Sequence, residues 1–407
     1  MNIWLINPYG SIPGEKWREY RFSIFANELS EKGHNVIWWT SAFSHHFKKH
    51  RSKKLIDLDI NPNYKIRLIP TPGYNNNISL KRIFRDLYFS FKVYRIGHKE
   101  AIGPDLIIFS EIPLFFGNSC QKLAKKFNIP LIYDQMDLHP ELMINIFHKS
   151  VRPIIKFLFY PLYLSRKKVY KNIDGIVALS KYYLQVPLNT CKGLLNKPNE
   201  VIYNGINVKQ FRFAPFIKVN ETKKNEGEIW IIFAGTLGPS YDILNIIDVS
   251  KRYIGSYVKF FIAGDGPLKL TVLKNKDSII YLGKLQPDEL INVYRSCDIA
   301  LSAYGEFSNV EMPDKFYDYT AAGLPIINSL KGEVANWISI KNIGINYIAG
   351  DRKDLYSKIE ILLDDKNMRI QMKNNSYELG NFFDQKNQVN KLEPLINEVI
   401  KSYNYKR

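Results

Sequence analysis

The chain has 407 residues, 45% of them apolar and 24% charged, and shows no low-complexity tract or fixed-period repeat; a disordered, fibrous or solenoid protein is excluded and two domains are expected. Its three cysteines, Cys120, Cys191 and Cys297, are odd in number and widely spaced, so a reduced protein without a disulfide framework is expected. The net charge of +18 is uneven: residues 1–212 hold 32 Lys/Arg against 15 Asp/Glu, whereas residues 213–407 hold 25 against 24. That asymmetry predicts an anionic partner for the first half, either a lipid head-group surface or a nucleic acid.

The opening Met-Asn-Ile-Trp-Leu-Ile-Asn-Pro-Tyr-Gly lacks the basic flank and cleavage site of a signal peptide, and no apolar run approaches bilayer length, so a cytoplasmic location is expected. Strand Ile3–Asn7 leads into a Gly/Pro/Ser loop to Gly14, a helix through Lys32, a Gly33-His34 stop and strand Val36–Thr40. Apolar runs at Lys65–Ile69, Leu106–Ser110, Leu131–Asp134, Gly175–Leu179 and Val201–Tyr203 alternate with helical patterns, the signature of a parallel sheet covered on both faces. The polar stretch 213–228 reads as a linker. A second α/β series follows, with strands Ile229–Ala234, Val258–Ala263, Ile279–Leu282, Ile299–Ser302, Pro325–Asn328 and Ile345–Ile348.

Ligands of open parallel sheets bind at the carboxyl ends of strands, so the informative loops follow Asn7, Ala234, Ala263, Leu282 and Ser302. Ala234-Gly-Thr-Leu-Gly-Pro-Ser and Ala263-Gly-Asp-Gly-Pro allow close backbone approach, but neither is a Walker loop or a dinucleotide fingerprint. Residues 309–328 are the most informative: Glu311 and Lys315 stand at the mouth of a short amphipathic helix that Gly323 stops, before an apolar strand. A helix N-terminus with a lysine beside it is suited to a phosphorylated leaving group.

Taken in order, these segments resemble the family 4 glycosyltransferases. The resemblance rests on Gly33-His34-Asn35-Val36, Asn204-Gly205-Ile206-Asn207, Phe233-Ala234-Gly235-Thr236-Leu237-Gly238, Ala263-Gly264-Asp265-Gly266-Pro267, Tyr281-Leu282-Gly283-Lys284-Leu285 and the run from Asp318 to Pro325. It implies an α/β protein of GT-B fold: two facing Rossmann-like doubly wound domains with a central cleft. Residues 1–212 would bind the acceptor, 229–385 the nucleotide sugar, and 386–407 would form a C-terminal helix returning to the first domain.

The resemblance further implies a retaining transfer from a UDP- or GDP-sugar, with no metal or other cofactor required, of the kind that builds bacterial surface polysaccharides such as O-antigen or capsule. Thr236, Leu237, Gly238, Gly264, Asp265, Gly266, Gly283, Lys284 and Leu285 would line the donor, with Glu311 and the Met312 and Pro313 backbone holding sugar hydroxyls and Asp318 the ribose. Two departures stand out. The first acid of the family's spaced pair falls on Val310, with Glu311 one step away, and the usual Arg and Lys of the first Gly-rich loop are replaced near Thr236 and Tyr241-Asp242. Lys315 is therefore the expected counter-charge for the diphosphate, with the backbone amides of Leu237, Gly238 and the 313–316 turn.

In the first half, Asp137 and His139 follow a strand end, where either could orient or deprotonate an acceptor hydroxyl; Asp137 is preferred, beside Glu311 and Lys315, as a catalytic candidate. Gly10, Ser11, Gly14 and Arg18 are expected near a phosphate of donor or acceptor. Bland readings stand beside these: a solvated helix lysine for Lys315, an i, i+3 partner for Asp318, and a turn and N-cap before Pro140 for Asp137 and His139. The Asp57-x-Asp59 string reads as a solvated segment rather than a metal ligand pair.

Residues 81–95 and 152–168 mix aromatics with Lys/Arg, which predicts peripheral attachment to an anionic membrane; with the family resemblance, a lipid-linked or oligosaccharide acceptor is expected. A sugar-nucleotide epimerase of the same fold is the nearer alternative, and only the Asp134–Glu141 cluster offers it carboxylates. A basic nucleic-acid-binding protein is the distant one, since no helix-turn-helix, zinc or RRM signature is present; no nucleic-acid partner is expected.

Overall fold

The near-continuous apolar runs become strands buried on both faces. The structure, a computed structural model, describes every residue except 16–17, 78, 111–116, 146, 214–223, 309 and 406–407. Two compact units form, Met1–Ile202 with Val389–Arg407, and Tyr203–Gln388.

The first unit contains β1 (Asn2–Ile6), β2 (Asn35–Ser41), β3 (Phe43–Ser44), β4 (Lys49–His50), β5 (Ile56–Asn61), β6 (Tyr64–Ile69), β7 (Leu106–Phe109), β8 (Leu131–Gln135), β9 (Gly175–Ala178) and β10 (Asn199–Val201). Eight of them form one sheet in the order β10-β9-β8-β7-β1-β2-β6-β5, while β3 and β4 pair separately. The sheet is parallel except for the antiparallel edge pair β5–β6. Strand β5 contains Asp57 and Asp59, both exposed as the reading of a solvated segment expects, but in an edge strand that the sequence did not show: Asp57 is clamped by both arms of Arg67 at 2.7 Å, leaving Asp59 on the exposed edge. Alternation of charged and apolar residues fits an edge strand with one solvated face.

The first helix starts at Arg21 rather than soon after Gly14. The preceding loop is held in another shape: the Ser11 hydroxyl donates to the Arg18 carbonyl at 2.6 Å, and Arg51 grips Glu15 and the Gly10 carbonyl. Helix Leu392–Tyr405 places Leu392, Leu395, Ile396 and Val399 in the same core as Ile3, Leu5 and Phe25. Gly175 on β9 makes room for it, since a Cβ there would lie 2.5 Å from Val399.

The second unit holds β11 (Ile229–Ala234), β12 (Val258–Ala263), β13 (Ile279–Gly283), β14 (Ile299–Ser302), β15 (Ile326–Asn328) and β16 (Gly344–Asn346) in one six-stranded sheet, ordered β13-β12-β11-β14-β15-β16. This unit begins at Tyr203, before the boundary expected at 212. Helix Val208–Phe213 belongs to it because Phe211 stacks on Tyr294 and the Arg212 guanidinium lies 3.3 Å from the Tyr377 ring centroid. Most of the expected linker, 214–223, lies outside the described residues.

Candidate functional site

In the second sheet the strand order reverses between β11 and β14, which makes the loops after those two strands the expected ligand-binding crevice. The loops after β11 and β12 interlock. A Cβ on Gly264, at φ +142, would lie 1.8 Å from the Gly235 carbonyl oxygen, and one on Gly266 would lie 2.6 Å from that of Leu237. Only glycine permits such approach. The Gly264 amide is bonded to the Gly283 carbonyl at 2.7 Å, which ties in the loop carrying the half-buried Leu285 and the exposed Lys284. Asp265 is exposed beside them.

This interlocking corrects one expectation. The Leu237 amide is used by the Asp265 carbonyl, the Gly238 amide by Thr236 and the Phe316 amide by Pro313, each at 2.9–3.0 Å, so they do not point at a ligand. Thr236 is exposed, and its amide makes no hydrogen bond to the described residues.

Lys315 occupies the switch point. It lies in the first turn of helix Asp314–Ala321, whose cap is the buried Pro313, preceded by the buried Met312. Its side chain runs beneath Gly235, where a Cβ would come within 2.9 Å of Nζ. Phe233 at the end of β11, Tyr241 in the next loop and Tyr304 after β14 surround the ammonium, with ring centroids 4.4, 4.3 and 4.7 Å from Nζ. Cation–π attraction replaces hydration here, for Nζ is buried and has no hydrogen-bond partner among the described residues. Burial lowers its pKa to about 7, with the half-buried Asp318 opposing the shift. Such a lysine gains its full charge when an anion arrives.

Glu311 reaches the N-terminus of helix Glu333–Lys341. Its carboxylate accepts from the Glu333 amide at 3.4 Å and lies where a Cβ on Gly332 would come within 2.8 Å. Burial raises its pKa. Asp242, in the place of a familial cation, is an acceptor for Tyr347, Asn245 and the Gly350 amide and so braces the fold.

In the first unit, Asp137 is half-buried beyond β8, and desolvation raises its pKa to about 7 while Arg82 opposes. His139 is kept neutral, its pKa lowered to about 4 by burial and by Arg82, and its Nδ1 has no hydrogen-bond partner among the described residues. The other carboxylates of that cluster are occupied: Asp134 accepts from Arg21 on both oxygens at 2.8 and 3.0 Å, and Glu141 from Arg166 on both at 2.6 and 2.8 Å. Gly10, at φ +107, packs against the Tyr20 ring, and Gly14 is open to solvent. The Ser11 hydroxyl is committed to the Arg18 carbonyl, so it holds the loop rather than awaiting a phosphate. Arg18 is half-buried on the same loop. Among the described residues no group of His, Cys, Asp or Glu is placed to hold a metal ion.

Sequence reasoning missed the aromatic walls around Lys315, because their residues come from three separate segments. The only available signal was a tyrosine after each of two strand ends.

Residues 22–210 match the family described as Glycosyltransferase Family 4, and residues 216–379 match Glycosyl transferases group 1. Between them they account for most of the chain, and it is a family 4-type glycosyltransferase of GT-B fold. The fold is shared with sucrose-phosphate synthase from Thermosynechococcus elongatus at a TM-score of 0.71 and 15% identity, over 98% of this chain and 99% of that one. It is shared as well with Anabaena HepE in complex with UDP, at 0.64 and 14% over 98% and 100%. WaaG, a glycosyltransferase involved in lipopolysaccharide biosynthesis, aligns at 0.63 and 13% over 96% and 98%.

Proposed function

We propose that this protein is a retaining hexosyltransferase that uses a UDP- or GDP-sugar, with Lys315 neutralising the diphosphate. The observation that carries the reading is the orphaned, buried Lys315 ammonium at the switch point of the second sheet. An ammonium without hydrogen bonds is costly, and an incoming diphosphate would supply them. HepE was crystallised with UDP, which favours the same donor class here.

As the bond from the anomeric carbon to the diphosphate breaks, negative charge grows on the departing phosphate and positive character on the sugar. A fixed donor aimed at that phosphate lowers the barrier by about 3–4 kcal/mol. Lys315 acts there as a cation and not as a base. Glu311, Met312 and Pro313 hold the sugar, and Asp318 the ribose. Asp137, with a pKa close to neutral, orients or deprotonates the acceptor hydroxyl.

The acceptor is proposed to be a glycan or lipid-linked glycan of bacterial surface polysaccharide, met at an anionic inner membrane face. Helix Leu80–Gly97 supports this, since Leu80, Phe84, Leu87 and Phe91 are exposed along it beside Lys81 and Arg95. Ile154, Phe157, Leu158 and Leu164 are exposed on helices Arg152–Leu158 and Tyr160–Lys171. No helix among the described residues is long and apolar enough to cross a membrane.

Titrating UDP and GDP by calorimetry into the parent and Lys315→Ala tests the donor reading. One nucleotide should bind the parent and lose about 30-fold or more in the variant, the worth of a charge-assisted contact. Equal binding by both would refute it. Sedimentation with anionic vesicles, reversed by salt and by Phe84→Glu with Phe157→Glu, tests attachment.

A further inference from the structure

The first unit buries a second cation that the donor chemistry does not use. Arg85, on helix Leu80–Gly97, is fully buried, its guanidinium carbon 4.4 Å from the Tyr9 ring centroid and 5.2 Å from that of Tyr74. Nη2 donates to the Tyr74 hydroxyl and pairs with Asp86, both at 3.1 Å. Nε and Nη1 have no hydrogen-bond partner among the described residues.

Two further cations converge on the same rings. Arg82 donates from Nε to the Tyr9 hydroxyl at 3.1 Å, and Lys48 Nζ lies 4.6 Å from the Tyr74 centroid. Asn77 gathers both, its side-chain oxygen accepting from Lys48 at 2.5 Å and its carbonyl from Arg82 at 2.8 Å. Both are only half-buried, so the cluster opens to solvent on their side.

Counter-charge is scarce. Asp86 is fully buried and already accepts the Tyr9 hydroxyl on both oxygens, at 3.0 and 2.8 Å, besides pairing with Arg85. His45, hydrogen-bonded to the Tyr74 hydroxyl, stays neutral: burial first, then Lys48, Arg82 and Arg85, push its pKa down to about 3. The same arginines, after burial, lower that of Lys48. Gathering like charges costs energy unless an anion joins them.

We propose that Lys48, Arg82 and Arg85 form an anion subsite in the first unit that binds a phosphate or diphosphate group borne by the acceptor. Its assignment to the acceptor rests on the transferase reading above. Arg82 connects the subsite to the chemistry, because it is the cation that acts on both Asp137 and His139. Arginine suits the forked contact with phosphate oxygens, and Lys48 adds a point charge at the rim.

The imidazole NMR signal of His45, assigned with His45→Gln, reports on the cluster without reference to the donor site. Inorganic pyrophosphate should shift it in the parent, with an apparent Kd about tenfold weaker in Lys48→Gln and in Arg82→Gln, the loss of one charged contact. Thermal melts of these two variants check that they fold. No shift in the parent, or an unchanged Kd in both folded variants, overturns the proposal. A shift with a soluble hexose phosphate assigns a soluble acceptor; sedimentation with zwitterionic vesicles only when they carry a polyprenyl phosphate, abolished by Arg82→Gln, assigns a lipid-linked one. If pyrophosphate shifts His45 while neither UDP nor GDP binds the parent, the subsite stands and the reading of a UDP- or GDP-sugar donor fails.

Discussion

Lys315 and Arg85 are both cations buried against tyrosine rings beside the loop that follows the first strand of their sheet, yet of the two, among the described residues, only Arg85 has a carboxylate at ion-pair distance. The difference follows from their chemistry. An arginine cannot release its proton, so a buried one keeps its charge and needs a compensating anion. A lysine can, and with a pKa near 7 Lys315 escapes much of the burial penalty by shedding its proton until a ligand arrives. The first unit carries a permanent positive field, and the second a conditional one.

The largest effect is expected from removing the carboxylate. Asp86→Ala leaves Arg85 buried and uncompensated beside Arg82 and Lys48, and should destabilise the protein by about 3–5 kcal/mol in denaturant unfolding. A loss below 1 kcal/mol would mean that the rings alone sustain that charge.

Lys315→Met should act in the opposite direction on stability. The shape is retained and the buried ammonium removed, so the gain is on the order of 1–3 kcal/mol at pH 7 even as nucleotide binding is lost. The folded pKa of Lys315 lies below the unfolded one, so the unfolded state binds more protons between about 7 and 10.5. Stability of the parent attributable to this residue therefore rises with pH across that window, and the advantage of Lys315→Met should shrink over it. A constant difference between pH 7 and pH 10 would break the comparison.

Nucleotide affinity should carry the same signature. Binding a diphosphate favours the protonated lysine, so affinity falls as pH rises above about 7, by up to ~10-fold per unit, and calorimetry in buffers of different ionisation enthalpy should show proton uptake. Smallest is the effect of a single ring. Tyr241→Leu removes one of three walls around Lys315 and should cost about 1 kcal/mol or less, read as a modest shift in unfolding midpoint.

Much of the site around Lys315 was legible because its segments are local. The helix over Asp314–Ala321, its stop at Gly323 and the following strand come from spacing and capping within one short stretch. The glycines of the loops after β11 and β12 announced close backbone approach, although not that each loop would spend its amides on the other. The edge strand with Asp57 was missed because alternation of charged and apolar residues looks the same in a solvated segment until Arg67 is brought opposite. The cluster around Tyr9 was invisible for a related reason: Tyr9, Lys48 and helix Leu80–Gly97 come from separate segments of the chain, and each residue alone carries no signal.

The sequence by itself determined the alternation of strands and helices, the division into two α/β units, the glycine loops and the excess of positive charge in the first half, since each depends on neighbouring residues or on composition. Only the tertiary structure decided which cations are buried, what they lie against and whether a carboxylate reaches them. Burial, desolvation and pairing depend on segments distant in the chain, and the same lysine that would be an exposed charge on an isolated helix becomes, beneath Gly235 and between three rings, a group poised near neutrality.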